Sequence, residues 1–129
     1  VKLNRIIVGG FSMGAAQSMH TVLGDPSLAG SVAGVFAMST FVADDSVLPG
    51  RIETHLKQGG KATPVLYCHG EADQMIKCRW GEKSAQRLRG AGLDVEWRTY
   101  PGMDHDMCSE ELHGVREWIL ARLAANPPE

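Results

Sequence analysis

Residues 10–14 read Gly-Phe-Ser-Met-Gly, a G-x-S-x-G pentapeptide centred on Ser12. A serine hydroxyl is a poor nucleophile until a neighbouring base takes its proton, so a serine presented this way implies a histidine and a carboxylate further along the chain. At this glycine and serine content the pattern arises by chance with a probability of roughly 0.1, and its surroundings therefore decide its meaning. Before it stands a short β-branched run, Arg5-Ile6-Ile7-Val8, closed by Gly9-Gly10. After it, Ala15, Ala16, Met19, Val22 and Leu23 recur at three- and four-residue spacing until Gly24-Asp25-Pro26 stops them. Strand, tight turn and helix is the setting of a nucleophile elbow, where both flanking glycines are expected to make room for neighbouring backbone and the helix N-terminus points its N–H groups at the reacting centre. The other reading, a Gly-rich turn that binds phosphate, lacks support: no Gly-Lys-Ser/Thr follows, and Gly9, Gly10 and Gly14 do not make G-x-G-x-x-G.

Two residues supply the partners. Asp73 follows a third apolar run in His69-Gly70-Glu71-Ala72-Asp73, with Glu71 as a rival acid. His105 stands in Tyr100-Pro101-Gly102-Met103-Asp104-His105, with Asp104 and Asp106 read as charges at a helix entrance. The order Ser, Asp, His is that of the α/β-hydrolases, and all three fall after strand C-termini, where open α/β sheets bind ligands. His69, directly after a strand, reads as a structural hydrogen-bonding residue, and His20, His55 and His113 as surface residues. Met13, Met75, Met103 and Met107 cluster in sequence around these positions; Met75 and Met103 are candidates for lining an acyl pocket, with plain core packing as the alternative. The histidines and cysteines show no metal-ligand spacing, and the chemistry needs neither metal nor cofactor.

The elements that must position these residues alternate. Further strands are expected over Val32–Met38, Pro64–Cys68 and Val95–Tyr100, and further helices near Ile52–Lys57, from Cys78 to about Ala91, and from Ser109 to about Ala125. The last helix is expected to be capped by Ser109 and to bury Leu112, Val115, Trp118, Ile119 and Leu123. This is an α/β chain with a mostly parallel sheet. If the strands are laid down sequentially, right-handed crossovers place all three connections on one face, and only the terminal helix is left for the other. A parallel sheet needs both faces covered, so a helix is expected to be missing.

The 129 residues make one domain, 1–129, and 43% hydrophobic content with 22% charged residues implies a packed core. Thirteen Lys+Arg against fifteen Asp+Glu leave a charge of −2, which disfavours nucleic-acid partners. No apolar run approaches the roughly 20 residues a membrane-spanning helix needs. Three cysteines without a CxxC pair suit a reducing compartment, and the cytoplasm is the expected location. The absent initiator methionine leads us to expect an upstream segment.

The combination Gly-Phe-Ser-Met-Gly, Ala33-Gly34-Val35-Phe36-Ala37-Met38-Ser39-Thr40-Phe41, His-Gly-Glu-Ala-Asp and Tyr-Pro-Gly-Met-Asp-His resembles the phospholipase/carboxylesterase group of α/β-hydrolases, which includes acyl-protein thioesterases and lysophospholipase-like proteins. The resemblance runs from about Arg5 to Leu123. It implies Ser12 as nucleophile, Asp73 as the acid and His105 as the general base of a triad, with the Met13 N–H in the oxyanion hole. The substrates it implies are acyl esters or thioesters, including lysophospholipids and S-acylated proteins. Thioesterase members usually carry Gln where this chain has Met13 and Pro where it has Gln74. The family fold places about four strands before the elbow, so the chain is expected to be its C-terminal half, lacking the N-terminal strands. A weakly active or non-catalytic binding fragment is the alternative, and the open edge of the first strand would be a template for a homodimer.

Overall fold

The computed structural model of the chain describes residues 1–128. Four parallel strands, β1 (Ile7–Phe11), β2 (Gly34–Met38), β3 (Val65–Gly70) and β4 (Val95–Tyr100), lie side by side in sequence order. Helices α1 (Met13–Leu23), α2 (Leu48–Lys57) and α3 (Cys78–Gly90) connect them, and α4 (Ser109–Ala124) follows β4.

Parallel neighbours joined by right-handed crossovers send every connecting helix to the same face. Met19, Val22 and Leu23 of α1, Leu48 and Ile52 of α2, and Ala85 and Leu88 of α3 all pack with Val35, Ala37, Val65, Tyr67 and Val95 in one core. The opposite face carries a separate cluster, in which Val115 and Trp118 of α4 meet Met38, Leu66, Cys68 and Tyr100. The arrangement expected from the crossover rule is therefore the one observed.

Several boundaries differ from expectation, β2 beginning at Gly34 and not Val32, and α2 at Leu48 and not Ile52. Strand β1 runs on through Gly9, Gly10 and Phe11, which pair with Phe36, Ala37 and Met38 of β2. Glycine is what these two strand positions admit: a Cβ at Gly9 would run into the Phe36 ring, and one at Gly10 would lie 2.5 Å from the Gly14 carbonyl carbon. Strand β3 likewise extends through His69 and Gly70. Helix α4 is capped by Cys108, not Ser109: the Cys108 Sγ accepts from the Glu111 N–H at 3.4 Å. Its buried face also departs from the expected stripe, for Leu112 is exposed while Glu111 is fully buried. Val115 and Trp118 are buried as expected, and Ile119 and Leu123 are partly so.

Candidate active site

Phe11 ends β1 and Met13 begins α1, so Ser12 alone makes the turn, at φ 56° and ψ −119°. Its N–H donates to the Met38 carbonyl at 2.8 Å, which ties the turn to the end of β2. The two flanking glycines are not equivalent. Gly10 faces backbone at a distance no Cβ tolerates, whereas a Cβ at Gly14 would meet nothing within 4 Å. The expectation that both glycines are sterically required thus holds only for Gly10, since Gly14 already lies on the outer side of α1.

Asp73 sits in the loop after β3 and is buried, with 4% exposure. Its Oδ1 accepts from the Met75 and Ile76 N–H groups at 2.9 and 2.8 Å, which fixes the carboxylate plane. Its Oδ2 lies 2.9 Å from His105 Nδ1. A carboxylate oxygen only accepts, so Nδ1 carries the proton and Nε2 presents its lone pair. That lone pair accepts from Ser12 Oγ at 3.0 Å. The Phe11 ring, 4.8 Å from the imidazole centroid, bounds its other side. Residues 93 apart in sequence thus form one hydrogen-bonded chain from hydroxyl to imidazole to carboxylate. Glu71, the rival acid, is exposed and accepts instead from Thr99 Oγ1 at 2.8 Å.

Asp104 does more than charge a helix entrance. Its Oδ1 accepts from the Gln74 N–H at 2.9 Å and the His105 N–H at 2.8 Å, clamping the loop of the acid to the loop of the imidazole. Those two backbone donors hold its carboxyl below the usual range. An Asp before a loop histidine carries no sequence signal for a bridge between loops 30 residues apart. The Ala72 N–H adds a second tie, donating to the Met103 carbonyl at 3.0 Å.

The Met13 N–H lies in the first turn of α1, where helical amides lack intrahelical partners, and the Met13 side chain is exposed. Met75 is exposed, and its N–H donates to Asp73 Oδ1. Met103 is 8% exposed and packs with Leu66, Cys68 and Trp118, the placement that the core-packing alternative expects. Sequence reading missed Phe41 and Trp80. These half-exposed aromatic rings lie 5.8 Å apart and line a surface hollow of about 370 Å³ with Val42, Asp44 and Lys83, reached from the β2 C-terminus and the first turn of α3. A larger hollow of about 590 Å³ lies between α1 and α2, and none of the three chemical residues lines either hollow.

Comparison with known proteins places the chain. The phospholipase/carboxylesterase family model matches residues 1–123. Lysophospholipase-like protein 1 of Mus musculus is 35% identical over 124 residues, covering 95% of this chain and 49% of that protein. Acyl-protein thioesterase 1 of Gibberella zeae is 35% identical over 125 residues, covering 97% of this chain and 50% of that protein. The crystal structure of Zea mays acyl-protein thioesterase 2 superposes with a TM-score of 0.77 at 28% identity, over 90% of this chain and 55% of the maize chain. The chain spans about half the length of the curated relatives it matches. On this match over nearly all of its residues, the chain belongs to the phospholipase/carboxylesterase family and carries about half of that family's α/β-hydrolase fold.

Proposed function

We propose that this chain carries the reacting residues of a serine hydrolase that cleaves acyl esters or thioesters. The observation that bears most weight is the hydrogen-bonded chain Ser12 to His105 to Asp73, at 3.0 and 2.9 Å, on a turn that lifts the serine out of the sheet. Ser12 Oγ attacks the acyl carbonyl while His105 Nε2 takes its proton. Asp73 holds the imidazole tautomer and stabilises the imidazolium, which then protonates the departing alcohol or thiol. Water, deprotonated by the same imidazole, releases the acid. No cofactor enters this sequence.

The Met13 N–H is the proposed oxyanion donor of this chain, and loss of one such donor typically costs about 10²–10³ in rate. Met75, exposed two residues after Asp73, is the apolar side chain proposed to meet an acyl group. The names of the relatives support this substrate class. Three free thiols, Cys68, Cys78 and Cys108, support a reducing, cytoplasmic setting.

The test is fluorophosphonate labelling of the 129-residue chain beside Ser12→Ala and His105→Ala. The wild type is expected to be labelled at Ser12 and the variants not; equal labelling of wild type and Ser12→Ala would sink the assignment. A second reading, an interaction fragment that self-associates, is favoured by β1, an edge strand whose five residues are all only half-buried. Size-exclusion chromatography with p-nitrophenyl butyrate turnover separates the two readings: a dimer without turnover supports the second.

A further inference from the structure

Asp73 Oδ2 is approached by two imidazoles, at 2.9 Å by His105 Nδ1 and at 3.5 Å by His69 Nε2. The reaction proposed above uses only the first. His69 lies near the end of β3, fully buried, on the face that also presents Val65 and Tyr67 to the helical connections. Its Nε2 is 2.7 Å from the Ile76 carbonyl oxygen. A carbonyl only accepts, so Nε2 carries the proton, and the same N–H leans toward Asp73 Oδ2. Nδ1 is then unprotonated, is buried and has no hydrogen-bond partner among the described residues. It faces Gly81 of α3, where any Cβ would lie 2.5 Å away. Trp97 of β4 stands 6.2 Å from the ring on a further side. The ring is therefore held between β4, α3 and the loop of the acid.

The connections close on themselves. His69 holds the Ile76 carbonyl, the Ile76 N–H donates to Asp73 Oδ1, and Asp73 Oδ2 faces both imidazoles. We propose that His69 is a positioning residue for Asp73: by pinning the 73–76 turn it aims Oδ2 at His105, and as a locked Nε2–H tautomer it leaves His105 the one imidazole at this carboxylate free to take the serine proton. This inference rests on the serine hydrolase reading for its catalytic meaning. A charged His69 would drive a second N–H against Gly81 with no acceptor, and burial accordingly pushes its basicity down. The division of labour follows from surroundings alone, since the two rings are chemically identical.

The experiment compares His69→Phe, which keeps a ring without a donor, with His69→Gln, whose amide can still donate to the Ile76 carbonyl. Two readouts are taken on the 129-residue chain: the low-field proton signal of the His105–Asp73 hydrogen bond, and the rate of fluorophosphonate labelling. His69→Phe is expected to lose the signal and to label about 10–100-fold more slowly, whereas His69→Gln keeps the signal and labels within about 3-fold of wild type. Signal and rate unchanged in His69→Phe, or a folded His69→Gln as impaired as His69→Phe, would overturn the proposal. Long-range ¹H–¹⁵N spectra of the wild type at neutral pH give an answer even where His69→Phe fails to fold: a neutral Nε2–H His69 supports it, and a protonated Nδ1 overturns it. If the wild type is not labelled at Ser12, the hydrolase reading fails, while the spectra still decide whether His69 positions Asp73.

Discussion

Under α1, α2 and α3 the sheet presents Val35, Ala37, Val65, Tyr67 and Val95, none more than 3% exposed, whereas under α4 it leaves Ile7, Phe11 and Phe36 half-covered. Neither face satisfies all of its buried polar atoms: on the three-helix side His69 Nδ1 has no partner among the described residues. On the three-helix side the Tyr67 hydroxyl donates to the Thr40 carbonyl at 2.7 Å, and Ser84 Oγ accepts from the Val42 N–H at 2.7 Å. On the α4 side both carboxyl oxygens of Glu111 are buried without a partner among the described residues. The cause of the uneven cover is topological. Sequential parallel order commits every connection to one side, and a single helix cannot cover four strands on the other. Stability is concentrated on the three-helix side, and the β1 corner of the α4 side holds the least.

Substitutions probe that asymmetry in descending order of effect. Leu88→Ala, at a fully buried position of α3, is expected to lower unfolding stability in urea by about 2–5 kcal/mol. Glu111→Gln addresses the orphaned carboxyl, which burial pushes up to about 7 from 4.5, with Asp106 adding repulsion. Between those two values the unfolded chain releases a proton that the folded chain keeps, so wild-type stability falls as pH rises through that window and levels off above it. Stability curves of wild type and Glu111→Gln are therefore expected to diverge by on the order of 1–2 kcal/mol from pH 4.5 to 8, the wild type being the one that loses. Phe36→Ala, on the half-covered face, is expected to cost only about 1 kcal/mol by the same urea measurement. A Phe36→Ala cost equal to that of Leu88→Ala would break the comparison; a larger cost once a partner is added would sharpen it.

Periodicity made α1 and β4 legible to the residue, because Met13–Leu23 has a clear apolar stripe with a Gly-Asp-Pro stop and Val95–Tyr100 alternates. Ser12, Asp73 and His105 were legible through a motif whose chemistry demands partners in a known order. Local rules failed where a distant contact decides. Gly9 and Gly10 look like a turn, yet they pair with Phe36 and Ala37 of β2 as strand, and crowding by Phe36 and α1 is why they are glycines. Ser109 looks like a better cap than Cys108, but the chain enters α4 one residue earlier. Glu111 belongs to the polar face by type and is buried by the rotation of α4. The Asp104 clamp joins two loops 30 residues apart, and His69 at the end of β3 meets Asp73 in the loop that follows; no motif announces either.

The backbone at Ser12 has a further consequence. A side-chain-bearing residue at φ 56° is held in a conformation that glycine occupies freely, at a strain of about 1 kcal/mol. Ser12→Gly is accordingly expected to melt at a higher temperature than wild type while losing all labelling. Under selection for expression or thermal tolerance alone, this position would drift toward glycine, and the hydroxyl persists only while something rewards its chemistry. A library of this chain sorted on stability without an activity screen would therefore enrich variants that have lost the Ser12 hydroxyl.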